Sequence, residues 1–401
     1  MNLTFKDNLN ETTFNEFTYN HAVGTFFQSS NWAKVKLEWT PIYTGVYDND
    51  KLIATAMVLK RKIVLNYSLL YVPRGPIMDF DNKVVLAFYL DNLKQLAKAN
   101  QAISITIDPY IINDQFDMNE VMKDLSKHQK LDNQIIKQFT NKQFMHKGFV
   151  SDLRDSYQPR FTPVIELKGQ VDYTVSRAYK NGAKALNSSV VIERNPSDAV
   201  ERLASLVSLT EEHKDISLRG AEYFKRISDA YAEDCLITIA NLNVEAEIAA
   251  LSERIERLNE TIENSKIKES RKREYLSQID RAIKEIDFLN DKAAGQKDVD
   301  IAALLVLKNG SKSELLYSGM NRDFFKYFGS NVNYYDAINW SKDNELDLIS
   351  FGGCSGTFDH GIDRFKATFN PQVVEYVGEF TYTNKKFIDK LFTLALKIRR
   401  R

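Results

Sequence analysis

Two runs of regularly spaced apolar residues dominate the chain between Val244 and Leu289. In the first run, apolar residues recur at intervals of three and four, as the a and d positions of a coiled coil do; they are Ile248, Leu251, Ile255, Leu258 and Ile262. After the polar residues 264–274, the second run repeats this spacing at Leu276, Ile279, Ile283 and Ile286. Two such helices with a short polar break predict an antiparallel hairpin. Arms of about 20 residues would extend about 30 Å at 1.5 Å per residue.

Strand-like apolar runs flank this arm on both sides. Residues 235–242 precede it and residues 299–307 follow it, so we expect the arm to be inserted at the tip of a β-hairpin inside a folded domain. Between residues 40 and 109 the predicted order is strand, strand, strand, helix, strand. A similar order recurs in the second half, where a further helix is predicted near Asp323–Phe328. The pattern predicts an α+β chain with two mixed sheets flanked by helices, plus the inserted antiparallel coiled-coil arm.

These elements suggest three units along the chain. The predicted bounds are residues 1–157 and 380–401 for the first domain, 158–241 and 298–379 for the second domain, and 242–297 for the arm. No low-complexity or proline-rich linker separates the two domains, so we expect them to pack tightly.

Composition and charge narrow the function classes. The 401 residues carry 54 basic and 54 acidic side chains, so contact with nucleic acid has to use a local patch. The five histidines are scattered and Cys235 and Cys354 lack ligand spacing, so neither a metal site nor a disulfide is predicted. No apolar signal segment and no window of about 18 uncharged apolar residues occurs, so we expect a cytoplasmic protein without a membrane span.

Isolated polar residues near predicted strand ends are the candidates for chemistry. Asp108 ends a buried strand, where a carboxylate either acts as a catalyst or caps the following turn. The glycine-rich run 352–356 also ends a strand, and its amides either approach a substrate or form a plain turn. Lys34 and Lys36 are two residues apart and cannot share a helical face. One of them is a candidate phosphate ligand, and the alternative is a solvated lysine.

Three further cations stand alone in separate segments. They are Arg74 in a Pro-Arg-Gly turn, Arg219 after a polar loop, and Lys366 after Phe365. An enzyme that grips a diphosphate needs such cations from several segments. Sequence spacing does not show whether they converge.

Eight short motifs occur in an order that resembles one known family. They are SNWAKVKLEW, YVPRGPIMDF, ITIDPY, QPRF, LRGAEYFKRI, YSGM, GGCSG and RFKATFNPQVVEYVGEF. The chain resembles the Fem family of aminoacyl-tRNA-dependent transferases that build peptidoglycan cross-bridges, over about residues 24–382. Its arm and its LRGAEYF segment are most similar to the MurM and MurN branching enzymes. The resemblance implies two GNAT-like domains, a helical arm, amide bond formation without acetyl-CoA, and no cofactor.

The resemblance also implies roles for single residues. Lys34 and Arg219 match the ligands of the precursor's diphosphate, and Lys366 matches a lysine that stabilises charge during transfer. Asp108 matches an aspartate once favoured as general base. The other expected substrate-binding residues are Tyr223, Tyr317, Arg74, Phe365 and Gly353.

The implied partners are an aminoacyl-tRNA and a peptidoglycan precursor. The donor is expected to carry Ala, Ser or Gly, and the acceptor is a stem-peptide amine of lipid II or UDP-MurNAc-pentapeptide. At the arm tip, the candidate tRNA contacts are Lys266, Lys268, Arg271, Lys272 and Arg273, unless the two helices simply pair with each other. A basic helix found in many family members is reduced here to Arg177, Lys180 and Lys184.

Two other functions stay open at this stage. An acyl-CoA-dependent N-acyltransferase of the same fold would normally show a glycine-rich pyrophosphate loop opening a helix, and the sequence has none. The chain could instead be a non-catalytic module that recruits tRNA or other partners. The presence of Lys34, Arg219 and Lys366, which match functional positions of the family, argues against this function. Transfer from aminoacyl-tRNA is therefore the favoured interpretation.

The C-terminal stretch 385–401 is amphipathic. Its apolar residues Phe387, Leu391, Leu394 and Ile398 follow helical spacing, and the chain ends in three arginines. The favoured interpretation is a helix docked on the first domain. The alternative is that its basic end meets anionic lipid, which would place the protein at the inner face of the membrane.

Overall fold

The computed structural model describes the chain apart from residues 64–65, 126–133, 170–171, 215–218, 265–266 and 400–401. The candidate tRNA contact Lys266 and the last two arginines therefore lie outside the described residues. The strands are β1 Leu3–Lys6, β2 Thr40–Asp48, β3 Lys51–Lys62, β4 Ser68–Val72, β5 Ile77–Met78, β6 Ala102–Ile107, β7 Ile112–Asp117, β8 Met145–His146, β9 Phe161–Glu166, β10 Val190–Arg194, β11 Cys235–Asn243, β12 Asp298–Asn309, β13 Lys312–Met320, β14 Leu348–Ser350, β15 Gln372–Tyr376 and β16 Phe380–Thr383. The helices are α1 Glu11–Asn20, α2 Ser30–Val35, α3 Lys83–Ala99, α4 Met118–Lys123, α5 Gln134–Asn141, α6 Arg177–Leu186, α7 Ala199–Lys214, α8 Ala221–Tyr231, α9 Val244–Asn264, α10 Glu269–Ala293, α11 Gly329–Asp343, α12 Gly361–Ala367 and α13 Lys386–Arg399.

Within the described residues the strands form two mixed sheets of eight strands each. The first has the order β1-β2-β3-β4-β6-β16-β8, with β5 beside β3, and its β4 and β6 run parallel. The second has the order β10-β11-β12-β13-β14-β9-β15-β7. Two mixed sheets with helices packed on them confirm the predicted α+β fold.

The second sheet opens where its parallel pair diverges. Strands β13 and β14 pair from Lys312 and Leu348 to Glu314 and Ser350. Beyond this point β14 ends, whereas β13 continues to Met320 beside β12. The backbone therefore leaves a wedge between the later half of β13 and the glycine-rich segment after β14.

The arm leaves the second sheet from a β-hairpin, as predicted. Strands β11 and β12 pair antiparallel from Cys235 and Leu307 to Asn243 and Asp298, and α9 and α10 follow directly from that end. Helix α10 begins at Glu269. The break is therefore shorter than predicted, and the tip residues Arg271, Lys272 and Arg273 lie in the first two turns of a helix.

The predicted seam of the second arm helix is partly wrong. Leu276 is 49% exposed and Ile283 is 46% exposed, whereas Ala282 is buried. The inward positions instead include Tyr275, Ile279, Ala282, Ile286 and Leu289, at intervals of four and three. Both registers have a heptad-like spacing. The predicted register was based on large aliphatic residues. In the structure, the small Ala282 and the amphipathic Tyr275 take inward positions instead.

Two further sequence expectations need correction. Residues 322–327 form a 3₁₀ helix with non-helical geometry at Phe324, and it ends where Phe328 has φ +58°, so no regular α-helix forms there. Strand β7 falls inside the range assigned to the first domain, yet it pairs with β15 at the edge of the second sheet. The remaining domain bounds stay a prediction.

The two sheets share a core. One hydrophobic cluster combines Phe26 and Trp32 from the start of the chain with Tyr223, Ile237 and Leu305. Residues around α2 and α8 are thereby fixed against each other, and α2 packs directly on α8.

The C-terminal helix α13 forms as predicted, but its first apolar residues are not covered. Phe387 is 73% exposed and Leu391 is 51% exposed. The helix contacts β6 of the first sheet, as the docked interpretation predicted, but these two residues remain exposed. None of the described helices combines the length and the apolar character needed to cross a bilayer.

Candidate functional site

A lysine from the start of the chain meets a tyrosine of α8. Helix α2 begins after Ser29, whose side chain accepts a hydrogen bond from the N–H of Trp32, and it ends at Val35. Lys36 is its C-terminal cap, with φ −93° and ψ 63°, so the backbone leaves the helix there. The Lys36 Nζ donates a 3.0 Å hydrogen bond to the hydroxyl of Tyr223 and lies 4.5 Å from the centre of the Trp32 ring.

Arg219 approaches the same tyrosine from just ahead of α8. Its guanidinium carbon lies 5.1 Å from the centre of the Tyr223 ring. Burial, and then the positive charge of Arg219, lower the pKa of Lys36 to about 8. Two cations that destabilise each other's charge mark a place where an anion would be stabilised.

The lysine that meets Arg219 is not the one predicted. The Nζ of Lys34 lies 3.4 Å from Glu11 and donates to the side chain of Asn31, and the Lys34 side chain is 57% exposed. Lys34 therefore pairs at the surface, and Lys36 is the lysine that the structure places beside Arg219. The helix ends before Lys36, so helical spacing could not show which of the two lysines turns inward.

Tyr317 connects this cation pair to the second sheet. Its ring centre lies 6.0 Å from that of Tyr223 and 5.0 Å from that of Phe224, in edge-on geometry. Lys36 comes from the range assigned to the first domain, whereas Arg219 and Tyr317 belong to the second. The cation pair and Tyr317 therefore combine residues from both predicted ranges.

A cavity of roughly 140 Å³ occupies the wedge beside β13. Tyr317, Gly352, Gly353 and Lys366 line it together with the apolar side chains of Leu304, Leu315, Tyr334, Phe351 and Ile362. Lys366 is 5% exposed, and its Nζ donates hydrogen bonds of 2.7 Å to the Gly353 carbonyl and 3.3 Å to the Gly352 carbonyl. The structure therefore brings Lys366, Tyr317 and Gly353 together around one cavity.

Gly353 is required for close packing at this cavity. A Cβ atom there would stand 2.3 Å from the Pro159 ring, so a larger residue would push the loop away from Lys366. Phe365 does not line the cavity. It packs against Tyr334 and Phe369, with ring centres 5.1 Å and 5.6 Å away, and supports the cavity from behind.

Asp108 and Arg74 are bound to each other and to the segment just before β9. One carboxylate oxygen of Asp108 accepts a 2.7 Å hydrogen bond from the Tyr71 hydroxyl, and the other accepts one of 2.6 Å from the backbone N–H of Arg74. Arg74 has φ +50° and donates from its guanidinium to the Pro159 carbonyl at 2.6 Å. Burial raises the pKa of Asp108 to about 7, although the charge of Arg74 opposes this. With both oxygens occupied and 2% of the residue exposed, Asp108 is placed to hold the Arg74 turn, and its predicted catalytic role gains no geometric support.

The basic residues predicted to bind tRNA divide into two groups. Arg177, Lys180 and Lys184 all lie on the solvent face of α6, three and four residues apart. At the arm tip, Arg271 and Arg273 are exposed. In the described part of the arm no ion pair joins α9 to α10, since Arg257–Glu253 and Lys284–Asp280 pair within their own helices. The simple alternative of two helices paired by charge is not what holds this arm together.

Sequence reasoning missed two residues near these groups. Arg226 lies one turn after Tyr223 on α8, with its guanidinium carbon 5.6 Å from the Tyr223 ring centre. Glu314 lies on β13, and burial raises its pKa to about 7 against the charges of Arg74 and Lys366. Helical spacing from Tyr223 could have singled out Arg226, whereas no sequence signal marked Glu314.

Among the described residues, no group of three or more His, Cys, Asp or Glu side chains could hold a metal ion.

Comparison with known proteins then identifies the family. The model of the FemAB family matches residues 9–397. The chain belongs to the FemAB family. This confirms the family suggested by the eight motifs.

Relatives and solved structures agree with this assignment. The chain is 26% identical over 394 residues to the lipid II:glycine glycyltransferases of Staphylococcus aureus strains USA300 and NCTC 8325 / PS 47, and each alignment covers 91% of this chain and 90% of the relative. The crystal structure of FemX is similar with a TM-score of 0.71 and 23% identity, covering 98% of this chain and 99% of FemX. The fold of this chain is thus similar to that of FemX.

Proposed function

We propose that this FemAB protein transfers an amino acid from aminoacyl-tRNA to a stem-peptide amine of a peptidoglycan precursor. Family membership and the name of the glycyltransferase relatives support a transferase of peptidoglycan bridges. One structural observation carries the proposal further. A cation pair suited to a diphosphate, Lys36 and Arg219, is joined through Tyr223 and Tyr317 to a cavity lined by Lys366.

The two ends of the site have different tasks in this proposal. At one end, Lys36 and Arg219 bind the diphosphate of lipid II or UDP-MurNAc-pentapeptide by charge-assisted hydrogen bonds. At the other end, the small cavity beside Lys366 holds the aminoacyl group, and its volume of roughly 140 Å³ favours Ala, Ser or Gly over larger residues. Binding both substrates along one path orients the acceptor amine toward the ester.

The chemistry needs little beyond positioning. The acceptor ammonium first loses a proton, and its nitrogen then forms a bond to the ester carbonyl carbon. The tetrahedral intermediate carries a negative oxygen, which the Lys366 ammonium stabilises. Collapse breaks the bond to the ribose oxygen of the tRNA, which takes the second proton from the amine, and the amide remains on the precursor.

A direct experiment separates this proposal from its alternatives. Purified protein is incubated with UDP-MurNAc-pentapeptide or lipid II and with glycyl-, alanyl- or seryl-tRNA, and the precursor is then weighed by mass spectrometry. A mass increase of one residue with one of these donors, abolished by prior ribonuclease treatment, supports the proposal. An increase with an acyl-CoA donor, or no increase with any donor, refutes it.

We further propose that the basic arm tip contacts the tRNA. Changing Lys266, Lys268, Arg271, Lys272 and Arg273 together to Glu should weaken aminoacyl-tRNA binding and flatten its salt dependence, because fewer counterions are released. The matched control reverses Arg257 and Lys284, which pair within their own helices. Filter binding between 50 and 200 mM salt, roughly the range over which such contacts weaken, provides the measurement. An unchanged affinity and salt slope in the tip variant would exclude the tip as a tRNA contact.

Peripheral contact with anionic lipid is the corresponding proposal for α13. The exposed Phe387 and Leu391 and the basic end of the chain support it, since each charge near such a surface contributes about 1 kcal/mol. Flotation with phosphatidylglycerol vesicles should retain the full chain, and a chain ending at Ile398 should bind more weakly. Equal flotation of both would show that the arginine tail makes no contribution.

A further inference from the structure

Three cations, rather than two, surround Tyr223. The Lys36 Nζ lies 5.3 Å from its ring centre, the Arg219 guanidinium carbon 5.1 Å and the Arg226 guanidinium carbon 5.6 Å. They come from three different places: the end of α2, the segment before α8, and the first half of α8. Arg226 lies inside the motif LRGAEYFKRI, but the sequence analysis assigned it no role.

Among the described residues, these cations lack the acidic partners that a structural cluster would have. Within the described part of the chain, neither Lys36, Arg219 nor Arg226 forms an ion pair with a carboxylate, and the buried Nε of Arg226 has no hydrogen-bond partner. Arg202 on α7 shows the contrast, since its guanidinium binds Glu193 and Asp300. Arg202 is therefore neutralised by two carboxylates, whereas no carboxylate among the described residues pairs with Arg226.

Mutual repulsion makes such a group unfavourable without an anion. Burial disfavours the charged form of Lys36 most strongly, and the positive charge of Arg219 disfavours it further, so that the pKa of Lys36 is lowered. Three uncompensated cations are better matched by two linked phosphates than by one phosphate or one carboxylate. Guanidinium groups also bind phosphate oxygens in pairs, which adds geometric selectivity.

We propose that Arg226 is a third ligand of the diphosphate, beside Lys36 and Arg219, and that it makes the site selective for diphosphate over monophosphate. This rests on the proposed function, because the diphosphate is that of the acceptor precursor. It goes further by naming the residue that distinguishes a diphosphate-linked acceptor from a simpler anion.

The test measures binding of inorganic pyrophosphate and inorganic phosphate to the full chain. Trp32 lies under Lys36, so its fluorescence reports the site, and calorimetry provides the affinity. Arg226→Ala should weaken pyrophosphate binding tenfold or more and change phosphate binding less than threefold, as expected for loss of one charge-assisted contact. Arg226→Lys should recover part of the loss.

Lys225→Ala is the matched control. Lys225 is the neighbouring cation on α8, and it is exposed and paired with Asp229, so its removal should change neither affinity more than twofold. Circular dichroism and thermal unfolding establish that the variants fold. If the Arg226→Ala variant does not fold, Arg226→Gln replaces it.

Several outcomes would overturn the inference. Wild-type pyrophosphate affinity in the Arg226→Ala variant would do so, as would equal losses for pyrophosphate and phosphate, or no pyrophosphate binding by the unmodified protein. Failure of the proposed function is seen separately. In that case pyrophosphate still binds through Arg226, but no aminoacyl group reaches the precursor.

Discussion

Replacing Lys366 by Met should lower kcat for aminoacyl transfer about 100-fold to 1,000-fold, the range seen when one group that stabilises an oxyanion is removed. Lys366 is buried beside the cavity, and its Nζ is held by the carbonyls of Gly352 and Gly353. Met keeps the length and apolar stem of the side chain while removing its charge. The KM for the precursor should change little, because the diphosphate binds at the other end of the site.

Steady-state kinetics with saturating aminoacyl-tRNA provide this measurement. Arg364→Ala is the control, since Arg364 lies on the same helix with its side chain exposed. Lys366 also has a structural task in holding the glycine loop. If that were its whole role, the Met variant would lose thermal stability and raise KM while kcat stayed within about threefold of the unmodified protein, and the catalytic assignment would be wrong.

Replacing Lys36 by Ala should raise the KM for the precursor tenfold or more and leave the KM for aminoacyl-tRNA nearly unchanged. A charge-assisted hydrogen bond contributes about 1.5–3 kcal/mol, which corresponds to at least a tenfold change. Arg219→Ala should have an effect of similar size. Lys34→Ala is the matched control, because Lys34 pairs with Glu11 at the surface. The KM of this variant for the precursor should stay within twofold of that of the unmodified protein.

The effect of Lys36 should also depend on pH. Its pKa is lowered to about 8, mainly by burial, and the protonated form is the one that binds an anion. Precursor affinity should therefore be constant below about pH 8 and fall as the pH rises above it. Lys36→Arg keeps the charge at these pH values, so this decline should disappear. A decline of equal steepness in the Arg variant would show that another group causes it.

The sequence predicted the architecture well where the signal was periodic. The arm between β11 and β12 followed from heptad spacing flanked by apolar strands, and the mixed sheets followed from the order of strands and helices. The register of the second arm helix was mistaken because Ala282 and Tyr275 carry the inward positions. Spacing alone cannot rank a small inward residue above a large exposed one.

The site was harder to predict because it depends on where elements end. Lys34 and Lys36 both lie in the same motif, and the choice between them turns on the end of α2 at Val35 and the cap geometry that follows. The edge position of β7 in the second sheet depends on pairing with β15, almost 260 residues later. Long-range pairing and capping geometry are tertiary outcomes, and local sequence patterns do not encode them.

The most direct test of the account is a crystal structure of the protein with UDP-MurNAc-pentapeptide bound. We expect phosphate oxygens within hydrogen-bonding distance of the Lys36 Nζ and the Arg219 guanidinium. The amine of the third stem-peptide residue should point into the cavity between Tyr317 and Lys366. A diphosphate bound at Lys34 or elsewhere, or a stem peptide directed away from that cavity, would contradict the account.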